Sequence, residues 1–160
     1  MEGLSKALVF TAGNEEYGIP IPNVISIEKF ENITPIPQLP GFVKGVAKVR
    51  DELIPAIDFE NVLYGHQLDI GGSSRIIVLD IQSFVYGLLV KDAKEIIDIS
   101  EHQLKQIGLI AYQKTSYLSG IANLDSRLIT MVDTEKFIEA LDGIKEIKHY
   151  MSEYRAEQEV

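Results

Sequence analysis

Apolar residues fall in short runs broken by Gly, Pro and acidic turns, a pattern that predicts strands over most of the chain. Lys6 to Ala12 is rich in β-branched and aromatic residues, Gly13-Asn14 supplies a turn, and Glu16 to Ile21 forms the second arm of a hairpin. Pro20 and Pro22 stop that arm because neither donates to a ladder, and Pro22 predicts a short helical turn over Asn23 to Ser26. Ile25, Ile27 and Ile33 resume an extended course into the proline-rich stretch Pro35 to Gly41, which predicts a rigid connection. Val46 to Arg50 and Leu53 to Asp58 then form a hairpin joined at Asp51-Glu52. Arg75 to Ile81, Val85 to Val90 and Glu95 to Ile99 add strands, and Ile121 to Asp125 pairs with Leu128 to Asp133 around Ser126-Arg127. Neither of these two turns carries Asn-Gly or Asp-Gly, so a tight primed turn and a four-residue loop both stay open.

The later hairpin repeats the earlier one. Phe42 to Glu60 recurs as Tyr117 to Glu135, with Gly45/Gly120, Ala47/Ala122, Leu53-Ile54/Leu128-Ile129, Asp58/Asp133 and Glu60/Glu135 in register. Leu8-Val9-Phe10 followed by Tyr17-Gly18-Ile19 is likewise echoed by Ile77-Val78-Leu79 followed by Tyr86-Gly87-Leu88. Two copies are too few for a solenoid, so the repeat predicts a duplicated β module with a core in each half and a seam between them. Ten strands in two sets of five suit closed or nearly closed barrels, which remove exposed sheet edges.

After Thr134 the period changes. Phe137, Leu141, Ile144, Ile147, Met151 and Tyr154 step by three or four and define one helical stripe, with Asp133 or Thr134 as N-cap. Gly143 costs about 1 kcal/mol in a helix interior, so the segment is one bent helix or two. The stripe either packs on a barrel or receives a partner helix.

A formal charge of −9 repels phosphate backbones and anionic lipid, which argues against nucleic acid and membrane surfaces as partners. No apolar run is long enough to span a bilayer, and the N-terminus lacks signal-peptide character. With no cysteine there is no disulfide framework or thiolate chemistry, and a cytoplasmic setting is expected. His66, His102 and His149 show no metal-ligand spacing, and neither a nucleophile elbow nor a phosphate loop is present. Asp58 and Asp133 stand where a strand passes into a helix, a capping position more than a catalytic one. No enzyme activity and no cofactor are expected. Arg50 at a hairpin end is able to reach a partner's carboxylate. Val24, Ile25 and Ile27 offer an apolar edge for a helix wherever they do not face the core.

These pieces in order, Leu8-Val9-Phe10-Thr11, Glu15-Glu16-Tyr17-Gly18-Ile19, Val24, Thr34-Pro35-Ile36-Pro37, Phe42-Val43-Lys44-Gly45-Val46, Val49-Arg50 and Ile54-Pro55-Ala56-Ile57-Asp58, resemble the CheW family of bacterial chemotaxis coupling proteins. Ile76-Ile77-Val78-Leu79, Gly87-Leu88-Leu89-Val90, Tyr117-Leu118-Ser119-Gly120 and the passage from Leu128 to Phe137 continue the likeness, which spans residues 7 to 141. The resemblance implies a mainly β fold of two five-stranded, SH3-like barrels whose first strand joins the second barrel. A CheW-like domain is then expected over residues 1–141, with the first barrel at about 14–82 and the second at about 1–13 plus 83–134. A C-terminal helical extension covers 142–160.

The implied activity is non-enzymatic: an adaptor, recruited to membrane receptor arrays, that joins the cytoplasmic tips of methyl-accepting chemoreceptors to the regulatory domain of the histidine kinase CheA. Carried over by position, Val24, Ile27, Val46, Val49 and Arg50 are expected to line the receptor groove. Asp51, Glu52 and Leu53, with Gly120, Ser126 and Arg127 on the second barrel, are expected to face the kinase. The chain departs from the family pattern at Lys48-Val49-Arg50-Asp51, where the family has Asn-Leu-Arg-Gly, and at Val90-Lys91, where it has Val-Asp. Two other readings are a divergent module that binds a kinase regulatory domain without receptors, and a small-molecule binder or hydrolase using a cleft between the lobes, signalled by a polar pocket at His102.

Overall fold

The structure, a computed structural model, describes residues 4–29, 33–105 and 116–158. Among these residues, twelve strands form two six-stranded sheets, each ending in a strand of only two residues. One sheet holds β3 (Val24–Lys29), β4 (Ile33–Thr34), β5 (Val43–Val49), β6 (Glu52–Asp58), β7 (Arg75–Ile81) and β8 (Phe84–Val90), in the order β3-β7-β8-β6-β5-β4. The other holds β1 (Leu4–Ala12), β2 (Glu15–Pro20), β9 (Asp92–Ser100), β10 (Leu104–Lys105), β11 (Leu118–Asn123) and β12 (Leu128–Val132), in the order β9-β1-β2-β12-β11-β10. The expected twin-barrel, mainly β class is the one observed, with a short extra strand in each barrel.

The two orders are the same once β1, β2 and β9–β12 are read as β7, β8 and β3–β6. Both sheets are antiparallel except at one parallel pair, β6 with β8 and β12 with β2. Register follows the repeat as well: Ala56 lies opposite Gly87, and its counterpart Met131 lies opposite Gly18. Each half of the sequence thus gives its first hairpin to the sheet completed by the other half. This alters the expected division of residues, because β2 belongs to the sheet of β1 while β8 belongs to the sheet of β3.

Three apolar clusters follow from this exchange. Ala47, Ile54, Ala56, Ile76 and Val78 fill the first barrel, and their repeat counterparts Ala122, Ile129, Met131, Ala7 and Val9 fill the second. Between the barrels runs a larger seam built on Phe10, Tyr17, Phe59, Tyr86 and Phe137. Phe59 is its hinge, with its ring edge-on to both Phe10 and Tyr17 at centroid distances of 5.1 Å.

Gly45 and Gly120 show why the repeat keeps glycine. A Cβ on Gly45 would lie 2.2 Å from the Thr34 carbonyl oxygen, and one on Gly120 would lie 2.7 Å from that of Lys105. The short strands β4 and β10 cross at these points, and only a residue without a side chain lets them close.

Local expectations fare unevenly. Pro22 sits in a 3₁₀ turn over Ile21–Asn23, and Val24 already begins β3, so the helical turn ends earlier than expected. Asp58 caps α1 (Phe59–Tyr64) by accepting the Asn61 N–H, and Asp133 caps α2 (Thr134–Glu139) by accepting those of Glu135 and Lys136. The C-terminal stripe is carried by two helices, α2 and α3 (Ile144–Gln158), separated at Gly143 with its φ of 88°.

Candidate functional site

The β5–β6 hairpin turns on Arg50-Asp51, one residue before the expected Asp51-Glu52. Both residues have positive φ, 50° and 68°, and Val49 pairs with Glu52 across a tight two-residue turn. The turn aims Arg50 outward, and its side chain is 70% exposed. Arg50 Nε lies 3.5 Å from a carboxylate oxygen of Glu28 on β3. Since β3 and the β4–β5 pair stand at opposite ends of the sheet order, this contact spans the gap where the first barrel closes. At such exposure the pair contributes no more than about 1 kcal/mol, so Arg50 is available to an outside carboxylate at small cost.

A cleft of ≈ 330 Å³ opens at that gap, lined by Glu28, Lys29, Lys48, Val49, Arg50 and Ile76. Three cations around one opening are notable on a chain of net charge −9. Of the residues expected to meet a receptor, Val49 and Arg50 come together here. Val24 is half-buried against the seam, while Ile27 and its neighbour Ile25 are exposed on the edge strand β3. Val46 is a correction: it is buried in the seam, and its side chain is withdrawn from any partner. The bulge between Val43 and Gly45 sets the register that turns Val46 inward. Lys29, Lys48 and Glu28 are additions that sequence reading missed, although the alternation of Ile27, Glu28 and Lys29 marks an edge strand.

Asp51 and Glu52 are exposed at the hairpin tip, whereas Leu53 is half-buried against the seam cluster. Gly120 is buried under the backbone of Lys105, which leaves it a packing role. Ser126 is exposed in the four-residue β11–β12 loop. Arg127 is partly exposed, and its guanidinium is engaged within the molecule. Its Nε and Nη2 donate to the two oxygens of Glu16 at 3.0 Å each, and Nη2 also lies 2.9 Å from Glu95. The hydrogen bond to Glu16 and then that to Glu95 raise the guanidinium above its ordinary range, against an opposing effect of burial. Glu52, Val85 and Ser26 occupy the equivalent places in the first barrel, where valine cannot reproduce the fork.

A second cleft of ≈ 270 Å³ lies beside the β1–β2 turn, lined among others by Gly13, Glu60, His66 and Lys91. Glu60 is nearly enclosed, and one oxygen accepts the Gly13 N–H while the other lies 3.8 Å from His66 Nδ1. Lys91, the residue of reversed charge, donates to the Gly13 carbonyl at 3.3 Å. These groups bind one another across the seam. His102 lies instead in an exposed 3₁₀ turn beside Ser100. Among the described residues, no three His, Cys, Asp or Glu side chains converge as a metal ion would need. No helix among them is long and apolar enough to cross a membrane.

The family model described as the CheW-like domain matches residues 6–142. Chemotaxis protein CheW of Klebsiella aerogenes is 32% identical over 132 residues, covering 82% of this chain and 80% of that protein. Chemotaxis protein CheW of Bacillus subtilis is 25% identical over 135 residues, covering 84% and 86%. Among solved structures, the scaffolding protein TtCheW from Thermoanaerobacter tengcongensis superposes with a TM-score of 0.72 at 30% identity, covering 80% of this chain and 83% of that one.

Proposed function

Because the chain belongs to the CheW-like domain family, we propose that it is a non-enzymatic chemotaxis adaptor that couples the cytoplasmic tips of chemoreceptors to the histidine kinase CheA. The observation that carries this reading is the family match across both barrels, from residue 6 to 142. The names of its relatives, chemotaxis protein CheW and scaffolding protein TtCheW, point the same way. On this reading the protein works in the cytoplasm and reaches the membrane only through the receptors it binds.

Arg50, Val49, Ile27 and the exposed part of Val24 form the receptor side. Two features support that assignment: an outward guanidinium whose intramolecular partner is weakly held, and aliphatic side chains exposed on an edge strand nearby. Asp51, Glu52 and the rim of Leu53 form one kinase contact. Ser126, with Arg127 shaping its loop, forms the other on the second barrel. A ring of related double barrels joined through such unlike surfaces is heterologous and closes by repetition.

The test is co-sedimentation of this chain with a receptor cytoplasmic fragment and CheA, read together with CheA autophosphorylation. The adaptor reading expects all three proteins in the pellet and a stimulated kinase. Arg50→Glu is expected to keep the fold and lose receptor capture, because the new carboxylate would face Glu28. Kinase binding without a ternary complex would favour the receptor-independent module, and unchanged receptor capture by Arg50→Glu would remove that residue from the site.

A further inference from the structure

The matched domain ends at residue 142, and α3 begins at Ile144, so this helix is appended to a domain that has already closed its two sheets. It follows α2 after the four residues 140–143, the last of which, Gly143, is left-handed. Gly143 lies against Pro40, since a Cβ there would stand 3.1 Å from Pro40 Cγ.

One stripe of α3 is seated. Ile144, Ile147 and Met151 are buried in the seam cluster, to which Tyr150, Phe42, Leu53 and Phe84 contribute as half-buried neighbours. The helix packs along β6, and Lys148 Nζ stands 5.2 Å from the centroid of the Phe84 ring. Lys145, Glu146, His149 and Glu153 face solvent. A lone helix of this length is marginal in water, so the seat holds α3 in shape. The occupant in turn reports what the seat accepts.

We propose that the seat of α3 is a helix-docking groove on the first barrel and that the chain's own C-terminal helix is a tethered plug within it. Its external ligand is an amphipathic helix of a partner protein with aliphatic residues at i, i+3 and i+7 and a cation at i+4, the spacing of Ile144, Ile147, Met151 and Lys148. A short tether presents the plug at an effective concentration of about millimolar, so it turns away weak helices and yields only to those that bind the groove better. Neither the receptor assignment nor the kinase assignment is needed for this.

Two measurements on the full chain test it. In native-state hydrogen exchange, amides of α3 are expected to exchange at least about tenfold faster than those of β6 and β8, because the helix opens while the barrels stay folded. Exchange of α3 only through global unfolding would overturn the plug, and this arm needs no variant. In the second, a fluorescent peptide of residues 144–158 is titrated into wild type and into Ile147→Asp. The variant, with its plug loosened, is expected to bind the peptide at least about tenfold more tightly than wild type. A folded variant that ignores the peptide, or binds a scrambled peptide equally well, would overturn the groove.

Discussion

Glu60 accepts the backbone N–H of Gly13 at 2.9 Å, joining residues 47 apart in sequence and on opposite sides of the seam. Gly13 sits in the turn of the β1–β2 hairpin, which is given to the second barrel, while Glu60 opens α1 on the first. The repeat places Glu135 on α2 opposite the β7–β8 turn, and there it accepts from the side chain of Gln82. Each barrel therefore grips the tip of the hairpin that its own half of the sequence has exchanged.

The two grips differ in burial, and that difference is measurable. Glu60 is enclosed, whereas the Gln82–Glu135 contact is exposed. Glu60→Ala strands the Gly13 donor and is expected to cost about 2 kcal/mol, with Glu60→Gln recovering most of it through its remaining carbonyl oxygen. Glu135→Ala is expected to cost no more than about 0.5 kcal/mol, as at other surface sites. Urea unfolding of the three variants checks the order, and equal losses at the two glutamates would contradict it.

Gly87 and Gly18 face the two barrel interiors at equivalent positions but against different neighbours. A Cβ on Gly87 would lie 2.6 Å from Ile76 Cγ2, whereas one on Gly18 would meet the Met131 sulfur at 3.0 Å and Ile129 Cγ2 at 3.1 Å. The clash at Gly87 is the closer one and falls on a stiff β-branched side chain, while at Gly18 it is shared between Ile129 and the flexible Met131, so Gly87→Ala is expected to cost about 3 kcal/mol and Gly18→Ala about 1–2. The second barrel shows the remedy, since Ala7 stands where the first has Ile76. In a double-mutant cycle, Gly87→Ala with Ile76→Ala is expected to be less damaging than the sum of the two by about 1 kcal/mol or more.

Asp51 adopts a φ of 68°, a region in which glycine is at ease and other residues are strained. Asp51→Gly keeps the tight turn and is expected to stabilise the chain by about 0.5–1 kcal/mol, seen as a higher urea midpoint with an unchanged slope. Loss of stability would mean that the Asp51 carboxylate holds the turn through its own contacts.

Much of this was legible in the sequence because the repeat fixes register as well as topology. Gly45/Gly120, Ala47/Ala122 and Asp58/Asp133 announce two copies of one hairpin, and each pair does the same work in both barrels. The exchange of whole hairpins was only half legible. Strand patterns tell which residues alternate, and they do not tell that β2 leaves for one sheet while β8 joins the other. Val46 was misplaced for a related reason: a bulge resets which face a strand presents, and a bulge leaves little trace beyond a glycine. Arg127 was expected to face the kinase, and its internal pairing was not legible because its partners Glu16 and Glu95 come from distant strands. The hairpin turn moved by one residue because Arg50 joins Asp51 at positive φ with no glycine to mark the pair.

Three of the seven tyrosines set an alkaline limit on the fold. Burial raises Tyr17 well above its ordinary value of 10.0, helped by its hydrogen bond with the Tyr64 hydroxyl, and burial followed by the charge of Asp133 raises Tyr86. Burial alone raises Tyr117. In the unfolded chain all three ionise near pH 10, while the fold keeps them neutral, so above that pH the native state binds more protons than the unfolded one. Stability from these groups is therefore complete below about pH 10 and falls as pH rises toward the elevated folded values. Urea midpoints measured from about pH 8 to pH 11 should stay level and then drop. Replacing Tyr17 and Tyr86 together by Phe removes two of the three ionisations and should flatten the drop. An ultraviolet titration should show part of the tyrosine signal missing near pH 10 and released only as the protein unfolds. A drop of the same steepness in the double variant would place the alkaline limit on other groups.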